Sequence, residues 1–83
     1  MYKIILTKKS ENFFRKLEKV EQERVAKKFN ELEKNAELGK PLTANLSGLW
    51  SLRFGDYRAI YEIKQTELII LVLKLGHRKN VYG

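Results

Sequence analysis

The sequence predicts an α+β fold in which an N-terminal strand and an αα-hairpin precede a three-stranded antiparallel meander, with both helices packed on one face of a twisted, mostly antiparallel sheet. Three observations carry this. Gly55-Asp56 separates two β-rich runs, 49–54 and 57–63, and marks a two-residue hairpin turn. Two apolar series at helical spacing occupy residues 13–36. Residues 68–75 are almost all apolar at both parities, the pattern of a strand buried on both faces and therefore interior to its sheet.

The elements follow in order. Residues 2–6 form a short β-rich run, after which Thr7 or Ser10 can cap a helix carrying Phe13, Phe14, Leu17 and Val20. Val25, Phe29, Leu32 and Ala36 follow i, i+4, i+7, i+11, out of phase with the first series around residues 20–23. One helix over 7–38 would be about 48 Å long, too long for so small a molecule, so the chain is expected to bend near Val20. Glu37-Leu38-Gly39-Lys40-Pro41 closes the second helix, with Gly39 suited to the C′ position and Pro41 unable to continue. Residues 42–48 read as a connecting loop.

In the hairpin, a Gly55-Asp56 loop places Phe54 opposite Tyr57, Arg53 opposite Arg58, Leu52 opposite Ala59 and Trp50 opposite Tyr61. Opposed residues share a face, and side chains alternate with period two. Trp50, Leu52, Phe54, Tyr57, Ala59, Tyr61 and Ile63 therefore form one apolar face, and Ser51, Arg53, Arg58, Ile60 and Glu62 form the other. Like charges directly opposed are destabilising. Two explanations fit the arginine pair: the long side chains splay into water at a cost of a few tenths of a kcal/mol, or a phosphate binds between them.

At 83 residues the chain has room for one domain, 1–83, burying roughly 60–65% of its unfolded surface. No cysteine is present, so there is neither a disulfide framework nor a thiolate. No apolar run reaches the roughly 20 residues that span a bilayer. Met1-Tyr2-Lys3 leads straight into Ile4-Ile5-Leu6 rather than into a signal peptide, so a soluble cytoplasmic protein with no membrane partner is expected. The net charge is +7; residues 1–37 carry ten basic and seven acidic residues, and residues 38–83 seven and three. The sheet half is thus the more one-sided. Such a balance favours polyanion partners, although many basic small domains bind no nucleic acid.

One histidine, no cysteine and scattered carboxylates offer no metal site, and no glycine loop cradles a phosphate, so no cofactor is expected. What remains is a set of cations with His77, Arg78 and Tyr82 crowded into the tail. A basic tail is most often frayed, and a terminal tyrosine most often caps a core edge. The last strand nevertheless delivers this tail beside Arg53 and Arg58. Such a site suits RNA cleavage by the RNA's own 2′-hydroxyl, which needs a base, donors to the phosphoryl oxygens and an acid for the leaving 5′-oxygen. Arginines are shaped to clamp the phosphate, His77 or Tyr82 can move protons, and a tyrosine face can stack an unpaired base.

The ordered combination of Leu46-Ser47-Gly48, Tyr57-Arg58-Ala59-Ile60-Tyr61, an apolar strand and Gly76-His77-Arg78-Lys79-Asn80-Val81-Tyr82 resembles the RelE/ParE superfamily of toxins from toxin–antitoxin systems, the RelE branch in particular. The resemblance covers nearly the whole chain and implies the RelE-like microbial RNase fold. It further implies a ribosome-dependent, metal-independent mRNA endoribonuclease acting in the decoding site and neutralised by a cognate RelB-like antitoxin. The partners it implies are that antitoxin, the ribosome and mRNA. Carried over by motif, the catalytic places fall on Arg53, Arg58, Arg78 and Tyr82. The second strand departs from the pattern, offering Ser51 and Arg53 where the type has two lysines two residues apart; His77, just before Arg78, is the candidate to supply the missing function. The alternatives are a ParE-like, non-enzymatic inhibitor of DNA gyrase, or an inactive relative that only binds its antitoxin. Arg58, Arg78 and Tyr82 favour the nuclease branch.

Overall fold

The computed structural model describes residues 1–79. Its elements are β1 (Lys3–Leu6), α1 (Lys8–Arg15), α2 (Lys19–Lys34), β2 (Lys40–Pro41), a 3-10 turn (Ala44–Leu46), β3 (Trp50–Phe54), β4 (Tyr57–Lys64) and β5 (Ile69–His77). They build one sheet in the order β1-β5-β4-β3-β2, with β1 parallel to β5 and every other pair antiparallel. This is the expected α+β architecture with one addition, since Lys40–Pro41 extends the sheet as a two-residue edge strand inside the stretch read as helix end and loop.

The core lies between the helices and one sheet face. Val25, Phe29 and Leu32 of α2 pack with Leu52, Ala59, Tyr61, Ile70, Val72 and Leu75, and Phe13, Phe14 and Leu17 close its edge. Each fully buried large apolar side chain contributes roughly 1.5–3 kcal/mol, which is what orients α2 against the sheet.

Thr7 is the N-cap of α1: its backbone is extended (φ −66°, ψ 163°) and its hydroxyl accepts from the Ser10 N–H at 3.3 Å. The helices separate at residues 16–18, earlier than Val20. Glu18 is extended (φ −65°, ψ 154°), and the Gln22 side chain reaches back to donate to the Phe14 and Arg15 carbonyls at 3.0 and 3.4 Å. That side chain satisfies the open carbonyls of α1 without Gly or Pro.

The end of α2 also differs from expectation. The helix stops at Lys34, with Asn35 as its C-cap (φ −146°, ψ 90°), so Gly39 is not C′. Gly39 is required for another reason: a Cβ there would lie 2.5 Å from the Ser51 carbonyl oxygen and 2.9 Å from the Tyr61 hydroxyl. The Gly39 N–H donates to Tyr61 Oη at 3.1 Å, and that hydroxyl donates to the Ala36 carbonyl at 2.8 Å. Burial pushes the Tyr61 hydroxyl pKa up, opposed by the Gly39 N–H.

The hairpin register is the expected one, from Trp50 opposite Tyr61 to Phe54 opposite Tyr57. Gly55 has φ 60° and Asp56 does not have a positive φ, the combination of a type II′ turn. The next ladder is interrupted: Ile60 pairs with Lys74 and Tyr61 with Val72, so Leu73 is an extra residue in β5. This bulge reverses the parity of β5. Ile70 and Val72 face the core before it, and Leu75 faces the core after it. Among the described residues, no helix is long and apolar enough to cross a membrane.

Candidate functional site

Register alone assembles a basic surface on the sheet face turned away from the helices. Lys40 pairs with Ser51, Ser51 with Ile60 and Ile60 with Lys74; in the next row Arg53 pairs with Arg58 and Arg58 with Gly76. Directly opposed residues have Cβ atoms about 4.5–5.5 Å apart and share a face. Lys40, Arg53, Arg58 and Lys74 therefore share this face over four strands. Arg53 is exposed, whereas Arg58 is half-buried with its Nε enclosed. Gly76 brings no side chain to the row.

A concavity of ≈ 470 Å³ opens on this face, lined by Lys40, Ser51, Arg53 and Arg58 together with the chain from Leu38 to Leu42. No carboxylate is among its described lining residues. Its charged described lining side chains are therefore all cationic, and guanidinium groups set side by side suit a planar, multidentate oxyanion such as phosphate.

The tail reaches the same end of the sheet. The Arg78 N–H donates to the Asp56 carbonyl at 2.9 Å, extending the β4–β5 pairing one step and giving position 78 the parity of Gly76. A second concavity of ≈ 360 Å³ is lined by Asp56, His77, Arg78 and Lys79. His77 has the other parity. It pairs with Tyr57, stacks on that ring at 5.1 Å and 29°, and meets Phe13 edge-on at 6.0 Å and 86°. A hydrogen bond to Glu21 raises the Tyr57 pKa, with burial adding to it, so this phenol stays protonated at neutral pH.

The structure thus brings Arg53 and Arg58 together and carries the backbone of Arg78 alongside the hairpin turn. His77 sits on the helix side of the sheet, across from the arginine pair. Tyr82 lies outside the described residues. Lys40 and Lys74 join the basic face without having been singled out in the sequence: Lys40 sits beside a proline in what reads as loop, and Lys74 sits in an apolar run. Among the described residues, no group of three or more His, Cys, Asp or Glu side chains is placed to hold a metal ion.

The family model described as ParE toxin of type II toxin-antitoxin system, parDE, matches residues 4–82, and the chain belongs to this family, within the RelE/ParE superfamily of toxins. More particularly, it is a RelE-like toxin of a type II toxin–antitoxin system. Toxin RelG of Mycobacterium tuberculosis is 38% identical over 45 residues, which cover 54% of this chain and 52% of that relative. The matched segment thus spans about half the length of that curated relative. The toxin–antitoxin complex RelBE2 from Mycobacterium tuberculosis contains a chain that superposes with a TM-score of 0.85 at 29% identity, covering 93% of this chain and 98% of that one. The archaeal RelE–RelB complex from Pyrococcus horikoshii OT3 gives a TM-score of 0.75 at 26% identity over 96% and 98% of the two chains. The isolated E. coli RelE toxin, at 18% identity and a TM-score of 0.78 over 93% and 84%, shares the fold.

Proposed function

We propose that this toxin is a ribosome-dependent, metal-independent mRNA endoribonuclease acting in the cytoplasm. The observation that carries the reading is the direct opposition of Arg53 and Arg58 in a concavity with Lys40 and without a described carboxylate. In the reaction, the 2′-oxygen forms a bond to the adjacent phosphorus as the P–O5′ bond breaks. A base takes the 2′-hydroxyl proton and an acid supplies one to the leaving 5′-oxygen. Arg53, Arg58 and Arg78 donate to the phosphoryl oxygens, where negative charge grows in the transition state. Lys40 holds a neighbouring phosphate. His77 and Tyr82 are the proton-transfer candidates, and the stacking of His77 on Tyr57 across the sheet weighs towards Tyr82.

The ribosome supplies the bound, extended messenger, and a cognate RelB-like antitoxin is the second partner. Its acidic side chains would cover the arginine face, a reading supported by the +7 charge and by the RelE–RelB complexes among the structural relatives. An affinity that did not weaken with salt would count against that contact.

The ParE description of the matching family supports a second reading, a toxin without nuclease chemistry that inhibits DNA gyrase. Parallel assays separate the two. Cleavage of messenger on programmed ribosomes by the native chain, lost in Arg58→Ala, supports the nuclease. Intact messenger with impaired gyrase supercoiling supports the alternative.

A further inference from the structure

We propose that Thr7 and Ser10 are positioning residues: by holding the β5 bulge at Leu73 they set the parity of the tail, so that Gly76 and Arg78 fall with Arg53 and Arg58 while His77 falls on the helix side. The catalytic consequence rests on the nuclease reading; the geometry does not.

Successive carbonyls of a regular strand point to opposite sides, yet the carbonyls of Val72 and Leu73 are both bonded from the start of α1. The Thr7 hydroxyl donates to the Leu73 carbonyl at 3.0 Å, and the Ser10 hydroxyl donates to the Val72 carbonyl at 2.8 Å. The Thr7 N–H also donates to the Val72 carbonyl at 3.1 Å. The two hydroxyl oxygens are 3.0 Å apart, and Ser10 is wholly buried although it lies on a helix of mostly exposed residues. A buried hydroxyl without its partner is costly, so these bonds define the bulge as firmly as the bulge defines them.

The parity of β5 turns on that one extra residue. With it, Ile70, Val72 and Leu75 face the core, and Lys74 and Gly76 face the arginines. Without it, Lys74 and Gly76 would turn towards the core and His77 would share the face of Arg58. Arg78 would then leave the phosphate clamp. Bulges beside functional sites commonly re-aim a side chain in this way.

The test uses the full chain with Thr7→Val and Ser10→Ala combined, the single Ser10→Ala, and Thr7→Ser, which keeps the hydroxyl. NMR reads the geometry without RNA: NOEs from the His77 ring to Tyr57 and Phe13 should persist in the native chain and Thr7→Ser, and be lost in the double variant. The single Ser10→Ala keeps the Thr7 hydroxyl bond to the Leu73 carbonyl and should weaken them partway, so an unfolded double variant still leaves a readable series. In single-turnover cleavage on programmed ribosomes, the double variant should lose on the order of 10–100-fold in rate, with half-saturation little changed. In an Arg78→Ala background the same substitutions should cost almost nothing further, since the arginine whose place depends on the bulge is already gone. Unchanged His77 NOEs in the folded double variant, or an equal loss of cleavage with and without Arg78, would overturn the proposal. A native chain that cleaves no messenger overturns the nuclease reading alone, and the NOE series then decides the role of Thr7 and Ser10.

Discussion

Arg53 and Arg58 stand directly opposite each other across the β3–β4 hairpin, one residue pair away from its type II′ turn. Two cations in that relation repel, and the hairpin keeps them there because Leu52, Phe54, Tyr57 and Ala59 fix the register from the other face.

Neutralising one of the pair should therefore separate stability from activity. Arg53→Gln is expected to leave unfolding free energy unchanged or raise it by about 0.2–1 kcal/mol, with the gain shrinking as salt rises. Cleavage should fall on the order of 100-fold. Denaturant unfolding at low and high salt, together with single-turnover cleavage, measures both; a clear loss of stability would mark Arg53 as structural.

The Tyr61 hydroxyl ties the end of α2 to the sheet through Ala36 and Gly39. Tyr61→Phe strands a buried carbonyl and an N–H, and is expected to cost about 1–3 kcal/mol. Gly39→Ala should destabilise as well, because its Cβ would meet the Ser51 carbonyl oxygen at 2.5 Å. Urea midpoints at constant m-value check both, and an Ala variant as stable as the parent would mean that the strand moves aside freely.

Alkaline pH should act through the same residue. Tyr61 has a folded pKa raised above the ordinary tyrosine value near 10 by burial. Its contribution is therefore fully present below about pH 10 and is lost as pH rises through the folded value. Tyr57 is raised as well, chiefly by its bond to Glu21, and adds in the same direction. Thermal midpoints recorded from pH 9 to 11 should fall, and fall less steeply in Tyr61→Phe; parallel curves would rule Tyr61 out as the cause.

The hairpin was legible in the sequence because a two-residue Gly-Asp loop leaves one register that buries Leu52 and Ala59 together. The interior place of β5 was legible from its apolar residues at both parities. The bulge at Leu73 was not isolated, for the same reason: a strand apolar throughout hides a change of parity, and only Lys74 beside Leu75 hints at it. His77 was accordingly expected beside the arginines and lies across the sheet. Lys40 was hidden because a two-residue strand ending in proline carries no periodicity. The early break between α1 and α2 depends on the side chain of Gln22, a long-reaching cap that spacing rules do not register.

The placement of His77 makes a prediction about proton transfer. His77→Gln is expected to keep cleavage within several-fold of the native rate, whereas Tyr82→Phe should lose on the order of 100-fold. The rate should keep rising above pH 7, as a phenol with an ordinary value near 10 requires. A pH profile that levels off below about pH 7, with His77→Gln the more damaged variant, would return the base to His77.

The central claim is that the arginine face cuts messenger held by the ribosome. Mapping messenger 5′ ends in a reconstituted translation reaction supplied with the purified toxin tests it most directly. New ends are expected inside the codon occupying the decoding site, each upstream fragment ending in the 2′,3′-cyclic phosphate that 2′-hydroxyl attack leaves, and neither product with Arg58→Ala. Full-length messenger in the presence of folded native toxin would contradict it.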